Sequence, residues 1–208
     1  MSEILESLRQ KTRPIHEKLE QVVDVFTAAK DIESYGKLLK GFYRFYLAYE
    51  TSLNNSLLLE YGFDYEKRRK LPLLIKDLDS LGVDTGDVVA VENGLLPDLE
   101  NPDSAFGSLY VVEGATLGGQ VISRQLNEKF QIGKDNGAAF FTNYGSNARQ
   151  MWLDFVEALT KYSRLSTSNT EVIVDSAITT FDAFGQIVGG RKITNPNNFN
   201  ERISSFTN

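Results

Sequence analysis

Residues 106–121 read Phe106-Gly107-Ser108-Leu109-Tyr110-Val111-Val112-Glu113-Gly114-Ala115-Thr116-Leu117-Gly118-Gly119-Gln120-Val121. Leu109, Val112, Leu117, Val121 and Leu126 keep helical spacing, which predicts one long helix from about Asp103 to Phe130. Gly114, Gly118 and Gly119 fall inside it, and an interior glycine costs ~0.5–1 kcal/mol against alanine. The three together give up roughly 2–3 kcal/mol on that scale. Such a concentration marks either tight helix–helix packing through small residues, or a kinked helix lying directly over a flat ligand. A phosphate cradle is a poor match, because no Lys-Ser/Thr pair follows and no strand precedes.

Outward from this stretch the periodicity stays helical. Leu5, Leu8, Thr12, Ile15, Leu19 and Val22 recur at steps of three or four. Pro14 interrupts them, and its missing N–H predicts a helix that starts or restarts near Thr12. A second helix runs from its cap at about Asp31 into the late fifties. Its stripe is Tyr35, Leu38, Leu39, Phe42, Phe45, Tyr46, Tyr49 and Leu53, read as core rather than as a cofactor box. Leu71 to Leu81 is a third helix, stopped by Gly82. Gly86, Gly94, Pro97 and Pro102 make the stretch from Val83 mostly connection. Two further helices centre on Trp152–Leu159 and Val172–Val188. Val88-Val89-Ala90-Val91 is too isolated to build a sheet. The expectation is an all-α chain: one compact helical domain over 1–190 and a loose, Asn-rich tail over 191–208.

At 208 residues, with 22 Lys+Arg against 28 Asp+Glu, the chain is acidic overall, with a net charge of −6. Nucleic acid and anionic membranes are therefore disfavoured partners. Cysteine is absent, which excludes disulfides, zinc–thiolate sites, iron–sulfur ligation and thiol nucleophiles. The first residues lack a signal-like apolar core, and no apolar run reaches the roughly 18–20 residues of a membrane span. The expected location is cytoplasmic.

His16 is the sole histidine. A zinc site of several imidazoles and a di-iron site with two histidines are thereby excluded. A single axial imidazole suffices for heme, and Glu20, one turn on, is placed to orient it. The competing reading is a hydrogen-bonded or surface histidine without function. Lys67-Arg68-Arg69-Lys70 reads as a solvated face or helix end. Glu113 is either a solvent-facing acid or a buried carboxylate paired with Arg124 or Arg149.

Two segments are similar to the heme oxygenase family, in its bacterial branch. Leu8-Arg9-Gln10-Lys11-Thr12-Arg13-Pro14-Ile15-His16 resembles the proximal-helix motif, with a basic residue seven positions before the iron-binding histidine. Phe106 to Gly119 resembles the distal helix. Phe140-Phe141-Thr142-Asn143-Tyr144-Gly145 and Met151-Trp152 resemble later segments of the same branch.

The resemblance implies a helical bundle with heme between a proximal and a kinked distal helix. By position, His16 would be the iron ligand and Glu20 its neighbour, while Arg9 and Tyr110 would meet the heme propionates. Gly114, Gly118 and Gly119 would line the distal face, Gly114 and Gly118 taking the catalytic part by letting backbone approach bound dioxygen. The implied reaction is oxidative cleavage of heme to biliverdin, carbon monoxide and iron, using dioxygen. Electrons would come from a ferredoxin, flavodoxin or reductase, since no flavin or nicotinamide motif is present. Ala115 departs from the mammalian-type pattern, which has an aspartate there to anchor the distal water network. Thr116, Gln120 and Arg149 are the candidate replacements. The alternatives are a heme-binding or heme-sensing protein without turnover, and a cofactor-free helical interaction module.

Overall fold

In a computed structural model the described residues, 2–190, form ten α-helices and no strand. The 191–208 tail lies outside the described residues. The helices are α1 (Glu3–Val22), α2 (Val25–Ala28), α3 (Ile32–Ser52), α4 (Asn55–Glu60), α5 (Leu71–Ser80), α6 (Pro102–Ala115), α7 (Gly119–Phe130), α8 (Ala139–Thr142), α9 (Ala148–Tyr162) and α10 (Thr170–Gly189).

The ends follow side-chain chemistry. Asp31 accepts the Ser34 N–H at 2.7 Å to start α3. Asn101 caps α6 with Pro102 in its first turn, and Asn169 caps α10. Gly82 and Gly190 follow α5 and α10 with φ of +65° and +67°.

Three expectations need correction. First, α1 runs unbroken through Pro14 and does not restart at Thr12. Gln10, Lys11 and Pro14 are exposed, so the lost backbone bond falls on the solvent face, where water can satisfy the freed carbonyl. Second, α3 stops at Ser52 and does not reach the late fifties; Asn54 caps a separate α4 by accepting the Leu57 N–H. Third, the long helix across 103–130 is two helices, divided at Thr116–Gly118.

α10 runs through the bundle against α1, α3 and α6. It is long and apolar enough to cross a membrane by composition, and half of that stretch is buried in the bundle. Its contact with α6 requires Gly107: a Cβ there would lie 2.0 Å from the Ile173 carbonyl oxygen. Ser108 and Thr180 hydroxyls pair at 2.7 Å across the same crossing. The inner stripe of α3 is core as expected, with Tyr35, Phe45 and Tyr49 fully buried.

Candidate functional site

A cleft opens between α1 and the α6–α7 break, in two adjoining compartments of about 250 and 410 Å³. His16 and Leu19 of α1 line both, as do Gly114, Ala115 and Leu117 opposite. Phe45, Val112, Trp152 and Phe181 complete the first wall, while Gly118, Gly119, Phe140 and Tyr144 belong to the second. The lining is mainly apolar, and Phe42, Phe45 and Tyr46 show that the α3 stripe reaches it as well as the core.

The His16 side chain is half exposed, and its ring stands edge-on to Phe181 at 5.5 Å. Its Nδ1 lies 3.7 Å from Glu20 Oε1, an electrostatic contact rather than a hydrogen bond. The helical spacing predicted this pairing.

A third opening beside His16 is lined by Glu6, Arg9, Thr12, Arg13 and Tyr110. Arg9 and Tyr110 thus line one mouth. Burial raises the Tyr110 phenol pKa, against the opposing influence of the Thr12 hydroxyl and the Arg9 charge.

The glycine break has a clear backbone origin. Thr116 N–H bonds Glu113 O, Leu117 N–H bonds Gly114 O and Gly119 N–H bonds Thr116 O, at 3.1–3.3 Å. The ladder therefore tightens from i−4 to i−3 over one turn before α7 resumes. The three glycines do different things. Gly119 packs against backbone, since a Cβ there would lie 2.5 Å from the Phe141 carbonyl oxygen. Gly118 is open, its nearest neighbour 3.8 Å from a built Cβ. Gly114 lies against the Trp152 ring, where a Cβ would make ordinary contact at 3.6 Å. Packing and cavity lining, separate readings in the sequence, are both present.

Behind the break lies a polar cluster that the sequence reading assigned differently. Glu113 is fully buried, and its partners are Arg68 at 2.7 Å and Lys70 at 3.0 Å, not Arg124 or Arg149. Tyr144 donates its hydroxyl to the same carboxylate at 3.0 Å, and Lys70 donates to Tyr144 at 2.6 Å and to the Arg68 carbonyl. The Lys67–Lys70 run is therefore not one solvated face. Arg69 is extended (φ −56°, ψ 137°), so its neighbours Arg68 and Lys70 turn inward together while Lys67 stays exposed. Burial lowers the Lys70 pKa, opposed by Glu113, and raises that of Tyr144 above its ordinary range.

Lys70, Asn143 and Tyr144 all line the larger compartment. Asp77 holds their segment in place by accepting the Ala139 and Phe140 N–H groups at 2.7 and 2.8 Å. Of the candidates for a distal anchor, Thr116 bonds back to Glu113 O at 2.6 Å and Gln120 donates to Gly145 O. Both line the compartment, whereas Arg149 is exposed on α9 and does not. Lys70 was missed because a four-residue basic run ordinarily signals solvent; the quoted segment Phe140–Gly145 was the visible pointer to Asn143 and Tyr144.

The model of the heme oxygenase family matches residues 89–189. A heme oxygenase of Xanthomonas campestris pv. campestris (strain 8004) is 31% identical over 99 residues, covering 48% of this chain and 56% of that protein. The chain thus aligns with little more than half the length of that relative. The crystal structure of the NO- and CO-bound heme oxygenase from Neisseria meningitidis superposes with a TM-score of 0.74 at 20% identity, over 94% of this chain and 98% of that one. That likeness shows the all-α heme oxygenase fold. The family match contains the glycine break and not His16; the fold is what brings His16 to the same cavity.

Proposed function

From its likeness to heme oxygenases, we propose that this chain binds heme in the α1/α6–α7 cleft and cleaves it to biliverdin, carbon monoxide and iron. One observation carries the reading: His16 and the glycine break line one cavity from opposite sides.

The residues present fit the group. The two compartments together fall within the ~300–1,000 Å³ of small-molecule sites, and a flat apolar ligand suits their walls. Arg9, Arg13 and Tyr110 at the mouth suit its carboxylates. Bound heme would supply both the iron that activates dioxygen and the carbon skeleton that is cleaved.

With Nδ1 facing Glu20, Nε2 is the His16 nitrogen left for iron, and the carboxylate favours that tautomer. Gly118 projects no side chain into the cavity, so the backbone itself limits where dioxygen can lie. Orientation of this kind is the chief contribution the protein can make. Among the described residues, the carboxylate that lines the larger compartment is Glu20, which stands on the His16 side and away from the glycine break. Electrons would come from a separate redox protein.

Titration with hemin should give a Soret complex in the wild type and a weakened, spectrally altered one in His16→Ala. Ascorbate should then bleach the Soret band and yield biliverdin. A persistent Soret band without bilin points to heme binding or sensing without turnover, and absence of any complex overturns the reading.

A further inference from the structure

The wall opposite His16 carries a buried cation: Lys70 lines the larger compartment, whereas its partner Glu113 lies behind it and does not. Arg68 and Lys70 share the single carboxylate of Glu113. The next buried acid, Glu50, is already engaged by Arg69 at 3.0 Å and by the backbone N–H groups of Lys70 and Leu71. Arg69 is partly exposed and also meets Glu66 at 3.6 Å, so the cluster is balanced in charge, and the group it presents to the compartment is the Lys70 cation. Tyr46 and Tyr144, also on this wall, are held neutral by burial and add no negative charge. The one carboxylate lining the compartment, Glu20, is exposed on the opposite helix beside His16.

Beside Lys70 on the same wall is Asn143. Its amide Nδ2 is buried and has no hydrogen-bond partner among the described residues. A buried donor left unpaired is destabilising, so a position that keeps one is suited to a ligand acceptor. Ala115 offers no polar side chain on this side. The donor that the glycine helix lacks thus comes from the loop after α8, and the charge comes from the turn before α5.

We propose that Lys70 and Asn143 are specificity-determining residues that make this wall a site for a small anion, such as hydroxide, azide or fluoride, opposite His16. The proposal rests on the heme reading above. Asn143 donates to the anion directly, and Lys70 favours its charge through a medium of low polarity.

The test is azide binding to the ferric heme complex at pH 7, followed by absorption, with imidazole as a neutral ligand in parallel. Lys70→Met and Asn143→Leu should each weaken azide by roughly tenfold and leave imidazole within about twofold. Lys70→Arg, which keeps the charge, should stay within about threefold of the wild type. Unchanged azide affinity in Lys70→Met and Asn143→Leu overturns the proposal, as does a parallel loss of azide and imidazole. So does a Lys70→Arg variant that behaves like Lys70→Met. If Lys70→Met fails to fold by circular dichroism, Asn143→Leu at its half-buried position decides alone. Absence of a Soret complex in the wild type removes the heme reading and this proposal together; a complex whose azide affinity ignores the substitutions removes this proposal only.

Discussion

Arg68 and Glu113 are 45 residues apart in sequence, yet Nη1 and Oε2 meet at 2.7 Å where neither side chain has appreciable contact with water. Arg68 also donates to the Met151 carbonyl at 3.0 Å, so one guanidinium ties the turn before α5 to α6 and α9. Removing one partner of such a pair strands the other charge. Glu113→Ala should lower stability by about 3–5 kcal/mol, read from chemical denaturation. Arg68→Met should be milder, because Lys70 and Tyr144 still satisfy Glu113.

His16→Ala is expected to separate binding from folding. The side chain is half exposed and its nearest charged partner is 3.7 Å away. Its loss should change stability by no more than ~0.5 kcal/mol, or about 2 °C in thermal midpoint. Hemin titration of the same sample should show the altered Soret band.

The glycines should sort by what their missing Cβ would meet. Gly107→Ala and Gly119→Ala drive a methyl to 2.0 and 2.5 Å from carbonyl oxygens of the main chain, which cannot swing aside. Each should cost at least ~1–3 kcal/mol, measured by denaturant unfolding. Gly118→Ala meets nothing closer than 3.8 Å, so it should fold with wild-type stability. Its effect should appear in the heme complex, as a changed ratio of bilin isomers.

Alkaline pH should destabilise the fold steeply. Burial holds the phenols of Tyr35, Tyr46, Tyr49, Tyr65 and Tyr144 protonated well above their ordinary range. Above about pH 10 the unfolded chain releases these protons and the native state keeps them. The native state then binds more protons, so unfolding free energy falls as pH rises, by up to ~1.4 kcal/mol per pH unit for each retained proton. Lys70 works in the opposite sense, since its lowered pKa makes stability rise toward pH ~10.4, but it is one group against five. Denaturant midpoints from pH 8 to 12, with phenolate absorbance followed alongside, should show the fall beginning near pH 10.

The helices themselves were legible in local patterns. Apolar spacing marked α3, α5, α9 and α10, and Asp31 and Gly82 marked ends, because a helix and its cap are settled by residues within about one turn of each other. His16 with Glu20 was legible for the same reason, and the glycines of residues 114–119 advertised a helix under strain. What local pattern misjudged was the response to that strain. Pro14 is absorbed without a break because its lost bond faces water, whereas the glycine helix divides at Thr116–Gly118.

Sequence alone could therefore name the all-α class, since periodicity and caps are properties of the chain read in order, while both walls of the cavity were named by the resemblance of residues 8–16 and 106–119 to heme oxygenases. The fold sets those walls around one cavity, the arrangement that the resemblance implied. It also turned Arg68 and Lys70 of a basic run onto Glu113, and set Asn143 in the compartment that Lys70 lines. These are contacts across tens of residues, fixed by how α5, α6 and α9 pack; no spacing rule records which buried charge will find which partner.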